Sequence, residues 1–346
     1  MNLSFSTRGW QDRPWETWLD WAETMRFGGV ELYNVQSCPQ LTDRGGPLHK
    51  YSAAATVRAL REKNICIPCL DSSCDLTDEA SVETVRGLIR LAHEIQCPNV
   101  CAAALRDDDA AVHAALQALL GEAEAAGVTI LLKTSGIYAD TARLRALLDA
   151  FACDGLGALW DMHHPYRDHG ESADTTIKNL GAYVRHVHLR DSEDNGSYTI
   201  LGEGTLPAAS MMKALSSIDY DGFISIEWKP EWMEDLDDPE VIFPHFVNYM
   251  NRFDSPRGKK KTLYDNHDHT GHFVWKKDTL INETFPQVLA RMAEEFPDQY
   301  AFKYTTLDYT RTYAEFQEEA RWPSGRRTSR RGTSRSGRRR RSARCS

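Results

Sequence analysis

Eight short apolar runs, each followed by a helical pattern, recur at a spacing of about thirty residues from the N-terminus to residue 252. This alternation restricts the fold more than any other feature of the chain. The strand-like runs are 2–7, 29–33, 65–70, 99–103, 129–133, 158–161, 185–189 and 223–227. Helical periodicity marks 15–25, 51–63, 79–94, 108–126, 141–151, 175–180 and 208–217, and a further helix at about 239–252 follows the last strand. Repeated strand–helix units joined by right-handed crossovers imply an α/β fold whose simplest closure is a (β/α)8 barrel. An open doubly wound sheet is the runner-up, but it usually carries a glycine-rich turn after its first strand, and this chain has none.

Within the strands, period-two alternation sorts the side chains. In 185–189 and the residue that follows, His186, His188 and Arg190 share one face while Val187 and Leu189 take the other. Helices cover the outside of a barrel, so the apolar set points outward and the imidazoles point in. The same phase sends Lys133 inward with Thr129 and Leu131, and Glu227 inward with Phe223 and Ser225, while Asp161 ends the sixth strand. Lys133, Asp161, His188 and Glu227 therefore gather at the carboxyl ends of neighbouring strands, where barrel enzymes keep their active sites. One buried ionisable residue per strand is expensive unless it is paired or metal-bound, which weighs against an ordinary polar cap. Glu31 also faces inward, and its role divides between orienting a ligand or substrate and forming a salt bridge. Asp71, after the third strand, is equally open. Arg190 would bind a phosphate or carboxylate, or pair with a neighbouring acid. His163 is out of phase and packs, Trp228 belongs to the core, and Trp232 belongs to the rim.

Charge and composition narrow the class. The formal charge is −9, but residues 321–346 hold eleven arginines and no acid, so the rest of the chain sums to −20. Residues 1–253 carry 21 basic against 38 acidic side chains, which disfavours a nucleic-acid binder or a nuclease. No apolar run is long enough for a membrane span, and no secretion signal is visible, so a cytoplasmic protein is expected. The eight cysteines are scattered. The Cys66-Ile-Pro-Cys69 pair has no matching partner pair and reads as buried reduced thiols rather than as a redox or zinc half-site.

The barrel is expected to occupy residues 1–253. Residues 254–278 read as a polar linker, and the cluster His267, Asp268, His269 and His272 at its end reads as a solvated loop rather than a metal site. Residues 279–320 resemble the N-terminal opening of adenylate-forming, AMP-dependent acyl-CoA synthetases: a helix, a Phe-Pro-Asp turn, a strand, and a Thr312-Tyr-Ala-Glu-Phe turn into the next helix. No nucleotide-binding motif of that family accompanies them, so the resemblance implies ancestry, not ligase activity. Residues 321–346 cannot bury a core and are expected to be disordered. Their abrupt onset, where a ligase domain should continue, points to a reading-frame change rather than to a nucleic-acid-binding arm.

Residues 1–253 resemble the xylose-isomerase-like barrel superfamily, which includes sugar and sugar-phosphate isomerases and epimerases, inosose dehydratases and endonuclease-IV-like enzymes. The markers are Glu31 in Gly-Gly-Val-Glu-Leu-Tyr, Trp160-Asp161-Met-His-His164, His186-Val-His188-Leu-Arg-Asp191, Gly202-Glu-Gly-Thr-Leu-Pro207 and Ser225-Ile-Glu227-Trp. The resemblance implies that Asp161, His188 and Glu227 ligate a divalent cation (Mn, Mg or Zn) and that His164 lies beside the substrate. It also implies a glutamate at the end of the fifth strand, where this chain has Lys133. Burial near a metal would lower the pKa of that lysine, making it a neutral base, a Schiff-base former or a clamp on an anionic group. The expected activity is that of a metal-dependent isomerase or epimerase on a small carbohydrate-like molecule, with Glu227 or Lys133 removing the proton alpha to a carbonyl. A dehydratase or lyase acting on a polyol ketone, and a non-catalytic sugar-binding module associated with an acyl-activating enzyme, are the alternatives. A homo-oligomer is left open.

Overall fold

The computed structural model describes residues 2–38, 40–233, 238–253, 284–304 and 309–321. The expected linker 254–278 with its histidines, and residues 322–346 of the basic tail, lie outside the described residues. The chain divides into two compact units, Met1–Ser255 and Pro256–Ser346.

In the first unit eight parallel strands form one curled sheet: β1 Asn2–Ser6, β2 Gly29–Glu31, β3 Leu70–Asp75, β4 Asn99–Ala103, β5 Thr129–Lys133, β6 Leu156–Asp161, β7 Val184–Leu189 and β8 Phe223–Ile226. The hydrogen-bonded order runs β2-β1-β8-β7-β6-β5-β4-β3. Isolated parallel bridges at Gly29–Cys66 and Leu32–Leu70 bring the two ends together. Helices Trp15–Thr24, Ala53–Glu62, Glu79–Ile95, Asp109–Ala126, Thr141–Phe151, Ala173–Leu180, Ala208–Ser217 and Pro239–Met250 follow the strands in turn. This is the TIM-barrel arrangement that the alternation predicts. Among the described residues no helix is long and apolar enough to cross a membrane.

One strand is misplaced by the sequence reading. The expected third strand, 65–70, touches β2 only through the isolated bridges, and regular pairing with β4 begins at Leu70. Pro68 is the reason: it brings no N–H to the ladder, so the apolar run cannot continue as a regular strand. A short helix, His163–Arg167, was also not expected; it fills the turn after β6 and carries His164.

Alternation along the strands shows in the way the core divides. Val100, Ile130, Leu132, Ala158, Trp160, Val187, Leu189, Ile224 and Ile226 join the large cluster beneath the helices. Cys69, Cys101, Leu131 and Leu159 form a separate small cluster, the apolar part of the barrel interior. Opposite them the interior is polar, with Ser4 and Ser225 hydroxyls 2.6 Å apart and Glu31, His186 and His188 fully buried. The cysteines described are all free; of the Cys66–Cys69 pair only Cys69 is buried as expected and Cys66 is exposed, while burial pushes the Cys69 and Cys101 thiols well up.

Among its described residues the second unit opens with helix Phe285–Glu295, entered through a capping box between Thr284 and Gln287. Strands Tyr300–Tyr304 and Tyr309–Thr312 pair antiparallel, and helix Tyr313–Arg321 follows. Met292 is buried against Val288, Phe296 and Tyr313, a small apolar core of its own.

Candidate active site

Strand register assembles the site. Asp161 on β6 pairs with His188 on β7, which pairs with Ser225 on β8, so the next inward residue, Glu227, lies above them. Thr134, just past β5, fixes Asp161 through its backbone: its Oγ1 accepts from Asp161 N at 2.9 Å and donates to Asp161 O at 3.1 Å. All four residues predicted from phase, Lys133, Asp161, His188 and Glu227, therefore meet.

Arg190 is the centre of the assembly. Its Nη2 donates to Asp161 Oδ2 at 2.5 Å and to His164 Nε2 at 2.7 Å, and its Nη1 donates to Glu227 Oε2 at 2.6 Å. Of the two roles open from the sequence, the structure shows the pairing with neighbouring acids. Lys133 Nζ bridges the same two oxygens, 3.2 Å from Glu227 Oε2 and 3.5 Å from Asp161 Oδ2. Arg8 completes the cationic side, with Nη2 2.5 Å from Asp71 Oδ2 and Nε 3.3 Å from Glu227 Oε1. Asp71 thereby joins the network through an arginine that sequence reasoning missed. Arg8 continues the inward phase of Ser4 and Ser6 beyond the end of β1, and that was its one available signal.

Below this layer, Glu31 is locked between two imidazoles. His186 Nε2 lies 2.7 Å from Glu31 Oε2, and His188 Nε2 lies 2.8 Å from Oε1. With no exposure and both oxygens engaged, Glu31 is paired with the two histidines. The two rings differ in charge. Burial holds His186 below its ordinary value despite Glu31. For His188, Glu31 together with Glu227 outweighs burial and pushes the imidazole up to about 9. Its Nδ1 stands 3.3 Å from Glu227 Oε2 without the alignment of a hydrogen bond.

Electrostatics corrects the expectation for Lys133. Burial does work against its charge, but Glu227 first, then Asp161 and Asp71, outweigh it, and the amine is held above its usual range. This arrangement favours the ammonium form, against the lowered pKa that the neutral-base and Schiff-base expectations need. Glu227 responds in kind: burial would raise it, but Lys133 and Arg190 hold it well below the carboxylate range. Asp161 is lowered for the same reason, by Arg190 first among its neighbours.

The rim supplies further groups. His164 donates from Nδ1 to Asp168 at 2.6 Å and is about a quarter exposed, so it is the imidazole nearest the mouth. Tyr198 and Trp232 stack at 4.0 Å, and both rings lie within 5.6 Å of the Arg190 guanidinium carbon. The His163 side chain is buried against Ser192, while its backbone N–H donates to Asp161 Oδ1 at 3.2 Å.

A family model for the xylose isomerase-like TIM barrel matches residues 19–245. The chain belongs to this family. No curated protein matches its sequence, whereas many solved structures match its fold. The probable 3-DHS dehydratase AsbF of Bacillus anthracis is 16% identical, with 72% of this chain and 99% of that one covered at a TM-score of 0.59. The D-allulose 3-epimerase of a Methylomonas species, solved in complex with D-allulose, is 18% identical, with 73% and 96% covered at 0.56. The IOLI protein, solved with a bound zinc atom, is 16% identical, with 73% and 98% covered at 0.61. The resemblance of residues 279–320 to acyl-CoA synthetases has no counterpart in these comparisons.

Metal-ligating side chains are present in this xylose isomerase-like site: donor atoms of Asp161, His188 and Glu227 lie within 4.8 Å of one another, as do those of Glu31, His186 and His188. The donor set nevertheless does not fit a divalent cation as it stands. Asp161 Oδ2 and Glu227 Oε2, the oxygens that would ligate it, each already hold both Arg190 and Lys133. Of the three donors only His188 Nδ1 is without a hydrogen-bond partner.

Proposed function

We propose that the barrel is an isomerase or epimerase acting on a small polyhydroxy carbonyl compound by proton transfer alpha to the carbonyl. The observation that carries this is the buried set of Glu227, Lys133 and Arg190 at the carboxyl ends of the strands, with His164 at the mouth. It offers a carboxylate base, two fixed positive charges for a developing oxyanion, and a second proton carrier.

Glu227 removes the proton from the carbon next to the carbonyl, and the electron pair moves onto the carbonyl oxygen as an enediolate. Lys133 and Arg190 stabilise that oxygen. Delivery of the proton to the former carbonyl carbon, with the neighbouring hydroxyl's proton passing to the former carbonyl oxygen, interconverts aldose and ketose; delivery of a proton to the original carbon from the other face epimerises it. Glu227 is a weak base while Lys133 and Arg190 rest on it. A substrate carbonyl that draws these donors away restores its basicity, so base strength is released only on binding. His164, fixed by Asp168, relays the proton toward the mouth.

Dehydration is the second reading, favoured by the position of Lys133 Nζ 3.2 Å from the base Glu227. An ammonium beside the base can give its proton to a departing β-hydroxyl after the same first step.

The test is NMR of the full chain in heavy water with a panel of aldoses, ketoses and polyol ketones. Deuterium should enter alpha to the carbonyl of at least one substrate, and Glu227→Gln, which keeps the shape of the side chain, should lower the rate at least about a hundredfold. Loss of water from the substrate would select dehydration. Neither exchange nor water loss from any compound would put a non-catalytic sugar-binding module in the enzyme's place.

A further inference from the structure

Asp161 Oδ2 receives Arg190 Nη2 at 2.5 Å and Lys133 Nζ at 3.5 Å; Glu227 Oε2 receives Arg190 Nη1 at 2.6 Å and Lys133 Nζ at 3.2 Å. Both cations thus lie between the same two carboxylates, in the space a bridging metal ion would take. They are not surface side chains folded over a cleft. Lys133 exposes 12% of its side chain and Arg190 4%, so neither reaches water without leaving a buried acid behind.

Formal charge is matched within the layer. Asp71, Asp161 and Glu227 face Arg8, Lys133 and Arg190, while Glu31 is held separately by the imidazoles. A divalent ion at about 2.0–2.2 Å from the two carboxylate oxygens would sit against the ammonium and the guanidinium and add two positive charges to a balanced set. Room for it requires expelling at least one resident cation, and the acids of this layer hold those cations in place.

We propose that Lys133 and Arg190 stand in the place of a metal ion between Asp161 and Glu227, so that this chain carries no resident divalent cation and polarises its substrate's oxygen with its own side chains. The inference rests on the same site as the proposed reaction but not on the reaction occurring. Its test reads metal binding, so the two can fail separately.

The experiment is elemental analysis of the purified full chain, followed by calorimetric titration with Mn²⁺ and with Zn²⁺. Wild type should purify with far less than one equivalent of any transition metal and show no stoichiometric site. Lys133→Glu, which removes the ammonium and adds a ligand, should bind one equivalent of Mn²⁺ at least about tenfold more tightly than wild type. Lys133→Met, which removes the charge and keeps much of the stem's volume, should also gain affinity, by a smaller factor. It serves as the reading should the glutamate variant fail to fold, with circular dichroism reporting the fold of each. Wild type that purifies with one equivalent of metal, lost on Asp161→Asn, would overturn the proposal. So would a folded Lys133→Met or Lys133→Glu that binds no better than wild type.

Discussion

Lys133 shows both how far single residues can be read from sequence and where that stops. Its inward phase is fixed by Thr129 and Leu131, and the structure puts it where the alternation says. Its charge state was not legible, because the deciding acids, Glu227, Asp161 and Asp71, come from three other strand ends and their distances are set only by register. Arg8 and Thr134 were missed because each stands just past the end of its strand. The histidines give the residue-scale prediction. His188 has a folded pKa of about 9 against an ordinary 6.5, so its contribution to stability is complete below 6.5 and is lost as pH rises through 9. His163 is the reverse: burial first, then Arg190, lowers it to about 4, so its neutral form stabilises the fold above 6.5 and that contribution falls away as pH drops toward 4. Thermal unfolding from pH 4 to 10 should show a midpoint that falls on both sides of about 6.5. His188→Gln should flatten the alkaline limb and His163→Gln the upper part of the acid limb. Limbs unchanged in both variants would show that other groups set the profile.

At the level of elements, strands with continuous apolar character were the easiest to place, because a strand buried on both faces has little else to be. The segment around Pro68 failed for a local reason that was visible in the sequence but underweighted. The loop 202–207 was legible only as a motif, and the structure supplies its physical cause. Asp191, at the end of β7, accepts from Gly202 N at 2.8 Å, Gly204 N at 3.2 Å and Leu206 N at 3.1 Å, folding the loop around one buried carboxylate. The fit leaves no room for a side chain: a Cβ on Gly204 would overlap Asp191 Oδ1 and the Ser192 carbonyl. Gly204→Ala should therefore cost about 2 kcal/mol in urea unfolding, from overpacking against backbone that cannot move freely. An unchanged midpoint would mean that Asp191 does not clasp the loop as described.

On the scale of the whole molecule, the two compact units lead to a prediction about autonomy. Every barrel strand and its helix lie before residue 254, so a chain ending at Phe253 should stay soluble and unfold in one cooperative transition, followed by circular dichroism. If it aggregates while the full chain is well folded, residues beyond 253 complete the barrel's core. The ring itself is not uniform around its circumference. Seven of its joints are ladders between strands; the eighth, between β2 and the segment leading into β3, is two isolated bridges with the backbone bonds Cys66 N to Gly28 O, Val30 N to Cys66 O, Leu32 N to Cys69 O and Asp71 N to Leu32 O. Pro68 lies within that joint and brings no donor to it. The barrel therefore closes at a joint without a continuous ladder, interrupted at Pro68. Glu31 stands on one side of this joint and Asp71 on the other, so any loosening there acts directly on two of the interior's buried acids.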